Sequence, residues 1–179
     1  MPVISIGLLL FVFIFSFLGN FIYHVDAYAL NGSAILSEPS IAHLLGTDRL
    51  GRDILARLIE GGKVSLIIGV GSAFLSSFIG LIIGSIAGYF RGFVDKTFIV
   101  VVDLFLTFPT FFLLLTLVSY INASALVLIV IISITGWMTT ARLIRAESFK
   151  ITSQPYVKIL NIANVSKIKI LLKYYAPIL

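Results

Sequence analysis

The groups through which this chain could do chemistry are few. It has no cysteine, two histidines (His24 and His43) and eight carboxylates. The missing thiols exclude Cys nucleophiles, disulfides and Cys-ligated metals. Neither histidine lies in a His-Glu-x-x-His arrangement, so no ligand pair falls on one helix face. Gly61-Gly62-Lys63 lacks both the upstream glycine and the following Ser/Thr of a phosphate-binding loop, which removes a Walker-type route to ATP hydrolysis. Ser40, His43 and Asp48 are the residue types of a hydrolase triad, but nothing in the sequence orders them into one. Asp103 stands apart as the one acid inside a long apolar stretch, where an ionisable group points to an ion pair or a proton relay. Its structural partner would be Lys96 or Arg142. On this reading the chain has no catalytic, cofactor-binding or metal-binding residue and is not an enzyme.

The elements that position these groups follow from composition. Of 179 residues, 59% are hydrophobic and 12% charged, against about a quarter charged in an ordinary globular chain. A soluble surface cannot be built from that mixture, so the chain belongs in the lipid bilayer. A spanning helix needs about 20 apolar residues to cross about 30 Å of hydrocarbon. Residues 3–23 qualify and are too long for a signal-peptide core. Residues 64–89 form a second span, and residues 98–120 a third, interrupted by Asp103 and Pro109. Residues 124–140 make a short fourth. The fold class is therefore all-α, a polytopic helix bundle. Its parts are a first transmembrane helix over 1–23, an extracytoplasmic loop over 24–63 with a short helix, and a membrane domain over 64–179.

The net charge of +5 suggests orientation rather than nucleic acid. With the N-terminus inside, Arg49, Arg52, Arg57 and Lys63 lie outside, while nine basic residues from Arg91 to Lys173 lie on the cytoplasmic side, as the positive-inside rule prefers. Within the second span Ser72, Ser76, Gly80, Gly84 and Gly88 recur every four positions and form one small-residue stripe beside Gly69, Ala73 and Ser77. Such a stripe lets another helix approach closely, either inside the bundle or from a partner subunit. After Arg142, Tyr156, Ile159, Leu160 and Ala163 recur at helical spacing. A break at Asn164-Val165-Ser166 follows, and Ser166 can cap a second helix carrying Ile168, Leu171, Leu172 and Tyr175 on one face. Two short amphipathic helices joined by a turn suit a docking surface at the membrane, or an interfacial helix lying on anionic lipid.

Several motifs in register carry a family likeness. His43-Leu-Leu-Gly-Thr-Asp-Arg-Leu-Gly-Arg-Asp-Ile-Leu-Ala-Arg-Leu58 resembles the segment before the second span of dipeptide/oligopeptide/nickel-type ABC importer permeases, in particular the C-type permease. Lys63-Val64-Ser65-Leu66, Ala87-Gly88-Tyr89-Phe90-Arg91-Gly92 and Val94-Asp95 continue it. So do Asp103-Leu-Phe-Leu-Thr-Phe-Pro109, Gly136-Trp137 and Ala141-Arg142-Leu143-Ile144-Arg145-Ala146. The likeness runs over about residues 41–177.

The resemblance implies a permease subunit of the type I importer fold in a bacterial or archaeal inner membrane. It implies a second permease subunit, two ABC ATPase subunits and an extracytoplasmic substrate-binding protein as partners, with a peptide, nickel or other small cargo. It also implies that residues 146–176 form a cytoplasmic coupling loop, with Tyr156, Val157, Lys158, Ile159, Leu160, Asn164, Ser166 and Lys169 at the ATPase. Tyr156-Val157 match the start of that loop and Ala176-Pro177 its end. Where such permeases carry Glu-Ala-Ala this chain has Lys158, Ile159 and Leu160, and where they carry glycine it has Asn164, a residue able to take the left-handed turn. Such permeases have two further spans after the loop. The expectation is thus either a fragment of a working importer or a truncated, non-transporting structural or regulatory remnant.

Overall fold

The computed structural model describes residues 2–121, 124–166, 169–170 and 173. Among the described residues six α-helices follow one another: α1 (Pro2–Ile22), α2 (Ile54–Phe90), α3 (Gly92–Thr107), α4 (Thr110–Tyr120), α5 (Ala125–Thr152) and α6 (Pro155–Ile162), with a 3-10 turn at Gly32–Ala34. Among the described residues the extended structure is a single bridge between Thr47 and Asp53. The fold is the expected all-α polytopic bundle. Two compact units, 1–69 and 70–179, divide the chain.

In the first unit α1 is apolar around its whole circumference, and its outward residues from Val3 to Ile22 are exposed, as a helix facing lipid requires. It meets α2 where side chains are small. A Cβ on Gly62 would sit 2.4 Å from Ser16 Oγ, and one on Gly19 would sit 2.9 Å from Ile59 Cγ2. The short helix expected before residue 63 is not separate: it is the first two turns of α2, whose 37 residues reach about 55 Å. Glu60 and Lys63, 3.7 Å apart at i, i+3, carry the helix through the charged turn. The domain limit expected at residue 63 therefore falls within a continuous helix.

Asp53 starts α2. Its Oδ1 accepts the Ala56 N–H at 2.8 Å, and its Oδ2 accepts the Tyr23 hydroxyl at 2.7 Å and lies 2.9 Å from His43 Nδ1. Asp48, by contrast, holds the loop turn, taking the Leu50 and Arg52 N–H groups and the guanidinium groups of Arg52 and Arg57. As the sequence led one to expect, Ser40, His43 and Asp48 are not ordered into a triad: His43 faces Asp53, and Ser40 Oγ accepts the His43 backbone N–H at 3.2 Å. Burial alone would push Asp53 upward, but the Ala56 N–H, the Tyr23 hydroxyl and His43 outweigh it and hold the carboxyl below the usual aspartate range. A depressed carboxyl stabilises the fold above its unfolded value of about 3.9, and that contribution is lost as pH falls through the lower, folded value. Asp53→Ala, which removes a cap and strands Tyr23, is expected to cost about 1–3 kcal/mol. Hydrogen exchange at Ala56 checks this: the amide loses protection in the variant at neutral pH, and in the native chain only in strong acid.

In the second unit α2 lies along α5. Ser133 Oγ donates to the Ser72 carbonyl at 3.3 Å, and a Cβ on Gly136 would lie 3.6 Å from Ser76 Cβ. Gly80 faces Thr140, Gly84 faces Ala141 and Ile144, and Gly88 faces Arg145 and Ser148. The partners advance together along both helices, so α2 and α5 run parallel. The chain between Phe90 and Ala125 returns from the end of α2 to the start of α5 through α3 and α4. Pro109 splits this stretch: it has no N–H to donate and holds Phe108 extended, at φ −83° and ψ 129°. The two helices are bent by 78°. α1, α2 and α5 are each long and apolar enough to cross a membrane, and α3 with α4 makes a fourth candidate if the bent pair counts as one span. α3 seats Phe98 and Val102 against Ala87, Met138 and Ala141, with Trp137 at the edge.

α5 does not end at the membrane. Ser124 caps it, accepting the Val127 N–H at 3.3 Å, and it runs 28 residues to Thr152. The expected coupling loop thus begins, at residue 146, as the last turns of a spanning helix.

Candidate functional site

α6 carries five of the residues singled out from sequence, Tyr156 to Leu160. Pro155 occupies its first position, where a missing N–H is harmless. Its inner side is mounted on the end of α2: Val157 is fully buried with Tyr89, Ile151 and Ile170, and Leu160 and Val165 pack against them. Tyr89 OH donates to Asn161 Oδ1 at 3.3 Å. Its outer side carries Tyr156, Lys158, Ile159 and Ile162, of which Ile159 is 64% and Ile162 81% exposed. α6 therefore has apolar residues on both sides, one covered and one exposed.

The turn after α6 follows from Asn164. Its φ is +52°, the left-handed value that glycine or asparagine supplies at a helix end. Val165 N–H reaches the Leu160 carbonyl at 3.1 Å, closing the turn. Ser166 follows it: its carbonyl accepts the Ile170 N–H at 3.0 Å and its Oγ lies 3.4 Å from the Lys169 N. Of the residues singled out from sequence, Tyr156, Lys158 and Ile159 share the open side, Val157 and Leu160 the inner side, and Asn164, Ser166 and Lys169 the turn beyond. Ile168, Leu171, Leu172 and Tyr175, and the match at Ala176-Pro177, lie outside the described residues.

The charged residues near α6 form pairs that spacing did not reveal. Arg145 donates through Nη2 to Asp95 Oδ2 at 2.8 Å and through Nε to Asp95 Oδ1. Arg142 pairs with Asp103, one of the two partners expected for that acid. No cluster of metal-ligating side chains occurs among the described residues. The pairing of Asp95 with Arg145 escaped sequence reasoning because the two lie fifty positions apart. The available signal was an acid in the first turn of a helix on the face that collects arginines.

Comparison with known proteins places these features. The family model described as "Binding-protein-dependent transport system inner membrane component" matches residues 80–179. The chain is 32% identical over 150 residues to the oligopeptide transport system permease protein OppC of Mycobacterium bovis, covering 83% of this chain and 52% of that protein. It is 32% identical over 139 residues to OppC of Bacillus subtilis, covering 78% of this chain and 46% of the relative. With the putative peptide permease protein BruAb2_0794 of Brucella abortus it shares 36% identity over 133 residues, or 74% of this chain and 42% of the relative. The chain thus spans about half the length of the curated relatives it matches. A bundle of membrane helices with a mounted amphipathic helix, matched over more than half its length by that model, belongs to the family of binding-protein-dependent transport system inner membrane components.

Proposed function

We propose that this chain is the membrane permease subunit of an ABC importer that carries peptides, with ATP hydrolysed on two separate ATPase subunits that dock on α6. The observation that carries the reading is the bare outer side of α6, where Tyr156, Ile159 and Ile162 stand exposed on a helix whose other side is fixed to the bundle. ATPase closure pushes on α6, α5 carries the push into the membrane, and the bundle moves between outward- and inward-facing states. A second permease subunit completes the path, and an extracytoplasmic binding protein delivers the cargo. The peptide assignment draws on the printed names of the relatives. The N-terminus is cytoplasmic, because that orientation places nine of the thirteen basic residues inside.

The test is co-purification with the ATPase pair of the same organism. Deleting residues 155–175 abolishes it. The double variant Ile159→Asp, Ile162→Asp weakens it about 100- to 10,000-fold, since each isoleucine withdraws about 1.5–3 kcal/mol of apolar burial. Retention of the complex by both variants removes the docking assignment, and is the result expected of a helix that merely lies on anionic lipid.

A further inference from the structure

The corner between α2 and α3 holds a residue in an unexpected conformation. Arg91 has φ +51° and ψ −162°, a region that residues with a Cβ occupy only when their surroundings force it. Gly92, next in the chain, also has a positive φ of +57°, so the corner turns through two such residues and the first of them is an arginine. What holds it lies on α5. Its guanidinium donates through Nη2 to the Phe149 carbonyl and to Ser153 Oγ, each at 3.1 Å, and sits 5.0 Å from the centre of the Phe149 ring. The Arg145 guanidinium lies 4.9 Å from the same ring while paired with Asp95 on α3. One phenyl ring is thus contacted by two cations, one from the α2–α3 corner and one tied to the first turn of α3. Both contacts are of the cation–π type, and the Asp95 carboxylate offsets the repulsion between the two guanidinium groups. Phe149 is only six residues from Pro155, where α6 begins.

We propose that Arg91 is a positioning residue, a latch that joins the α2–α3 corner to the end of α5 so that α6 and α3 are displaced as one body. Strain in the Arg91 backbone is sustained only while the latch is closed, so a force on α6 large enough to open it also frees the corner. The significance of the latch for transport rests on the docking reading of α6; its geometry does not.

The chain has no cysteine, so single spin labels can be placed without background. Phe93→Cys on α3 and Ile162→Cys on α6 are both highly exposed sites. In the full chain in lipid nanodiscs this pair is expected to give one narrow distance distribution. Arg91→Gly removes the guanidinium and relieves the backbone, and is expected to broaden the distribution about twofold while the melting temperature holds or rises. Phe149→Leu, which keeps the apolar volume, broadens it likewise. Arg91→Lys, which keeps the charge but loses the planar fork, gives an intermediate width. An unchanged distribution in Arg91→Gly and Phe149→Leu overturns the latch, as does broadening that appears only together with a lowered melting temperature. The distance measurement involves no ATPase, so the latch can fail while co-purification through α6 survives, and the reverse.

Discussion

Gly84→Leu is expected to separate α2 from α5 and give the largest loss of stability of any single substitution in the bundle. Even alanine is too large there: its methyl would lie 2.5 Å from the Ala141 carbonyl oxygen and 3.0 Å from Ile144 Cβ. The nearest atom belongs to the backbone, so no rotamer change makes room and the helices must move apart. Overpacking of this kind costs about 1–3 kcal/mol for a methyl, and leucine adds to it. At Gly88 the nearest atom is Ser148 Cβ at 2.2 Å, with the Arg145 carbonyl at 2.9 Å, and the same outcome follows. Gly61 in the same helix is the control, because a Cβ there meets nothing within 4 Å. The check is unfolding in mixed micelles with increasing denaturing detergent. Gly84→Ala shifts the midpoint down, Gly84→Leu shifts it further, and Gly61→Ala leaves it in place. Equal midpoints for Gly84→Leu and Gly61→Ala would refute the packing.

Arg145→Met is the second large effect. The Asp95 and Arg145 side chains keep only 14% and 23% of their exposure, and removing the guanidinium takes from the Asp95 carboxylate the partner that holds both its oxygens. Stripping one partner from a buried pair costs about 3–5 kcal/mol, and the remaining exposure places this pair near the lower figure. The double variant Asp95→Leu, Arg145→Met removes both charges and is expected to regain most of that loss. Melting curves of the two single variants and the double decide it: additive losses would mean the residues do not act as a pair.

Much of this architecture was legible from the residues, because lipid leaves a chain few choices. Uninterrupted apolar stretches marked the spans, since a helix must satisfy its own backbone polar groups there. The spacing of Ser72, Ser76, Gly80, Gly84 and Gly88 marked a close seam, but the seam's other side is a second row of small residues on α5, Ser133, Gly136, Ala141 and Ser148, sixty positions away. Local pattern cannot report such a distance. The same limit hid Asp95 with Arg145 and His43 with Asp53. The turns at Gly46 and Gly51, with φ of +72° and +71°, bring Asp53 back beside the histidine. The helices outrun the apolar stretches, back to Ile54 and on to Thr152, because charged turns outside the hydrocarbon continue a helix without any apolar signal. Asn164 was read correctly as a left-handed turn, a property of the residue itself and so visible without its neighbours.

The parallel course of α2 and α5 has an electrostatic consequence. Two parallel helices add their dipoles, so each presents about half a negative charge at the same end of the bundle. At that end the last four carbonyls of each helix lack partners within it, and one of them, on Phe149, is taken by the Arg91 guanidinium. Arg142, Arg145 and Lys150 stand in the final turns of α5. The cations that favour one orientation in the membrane therefore also offset the field of two aligned helices, and a bundle inserted upside down would have to keep its helix dipoles while losing the membrane potential's help in holding those cations in place.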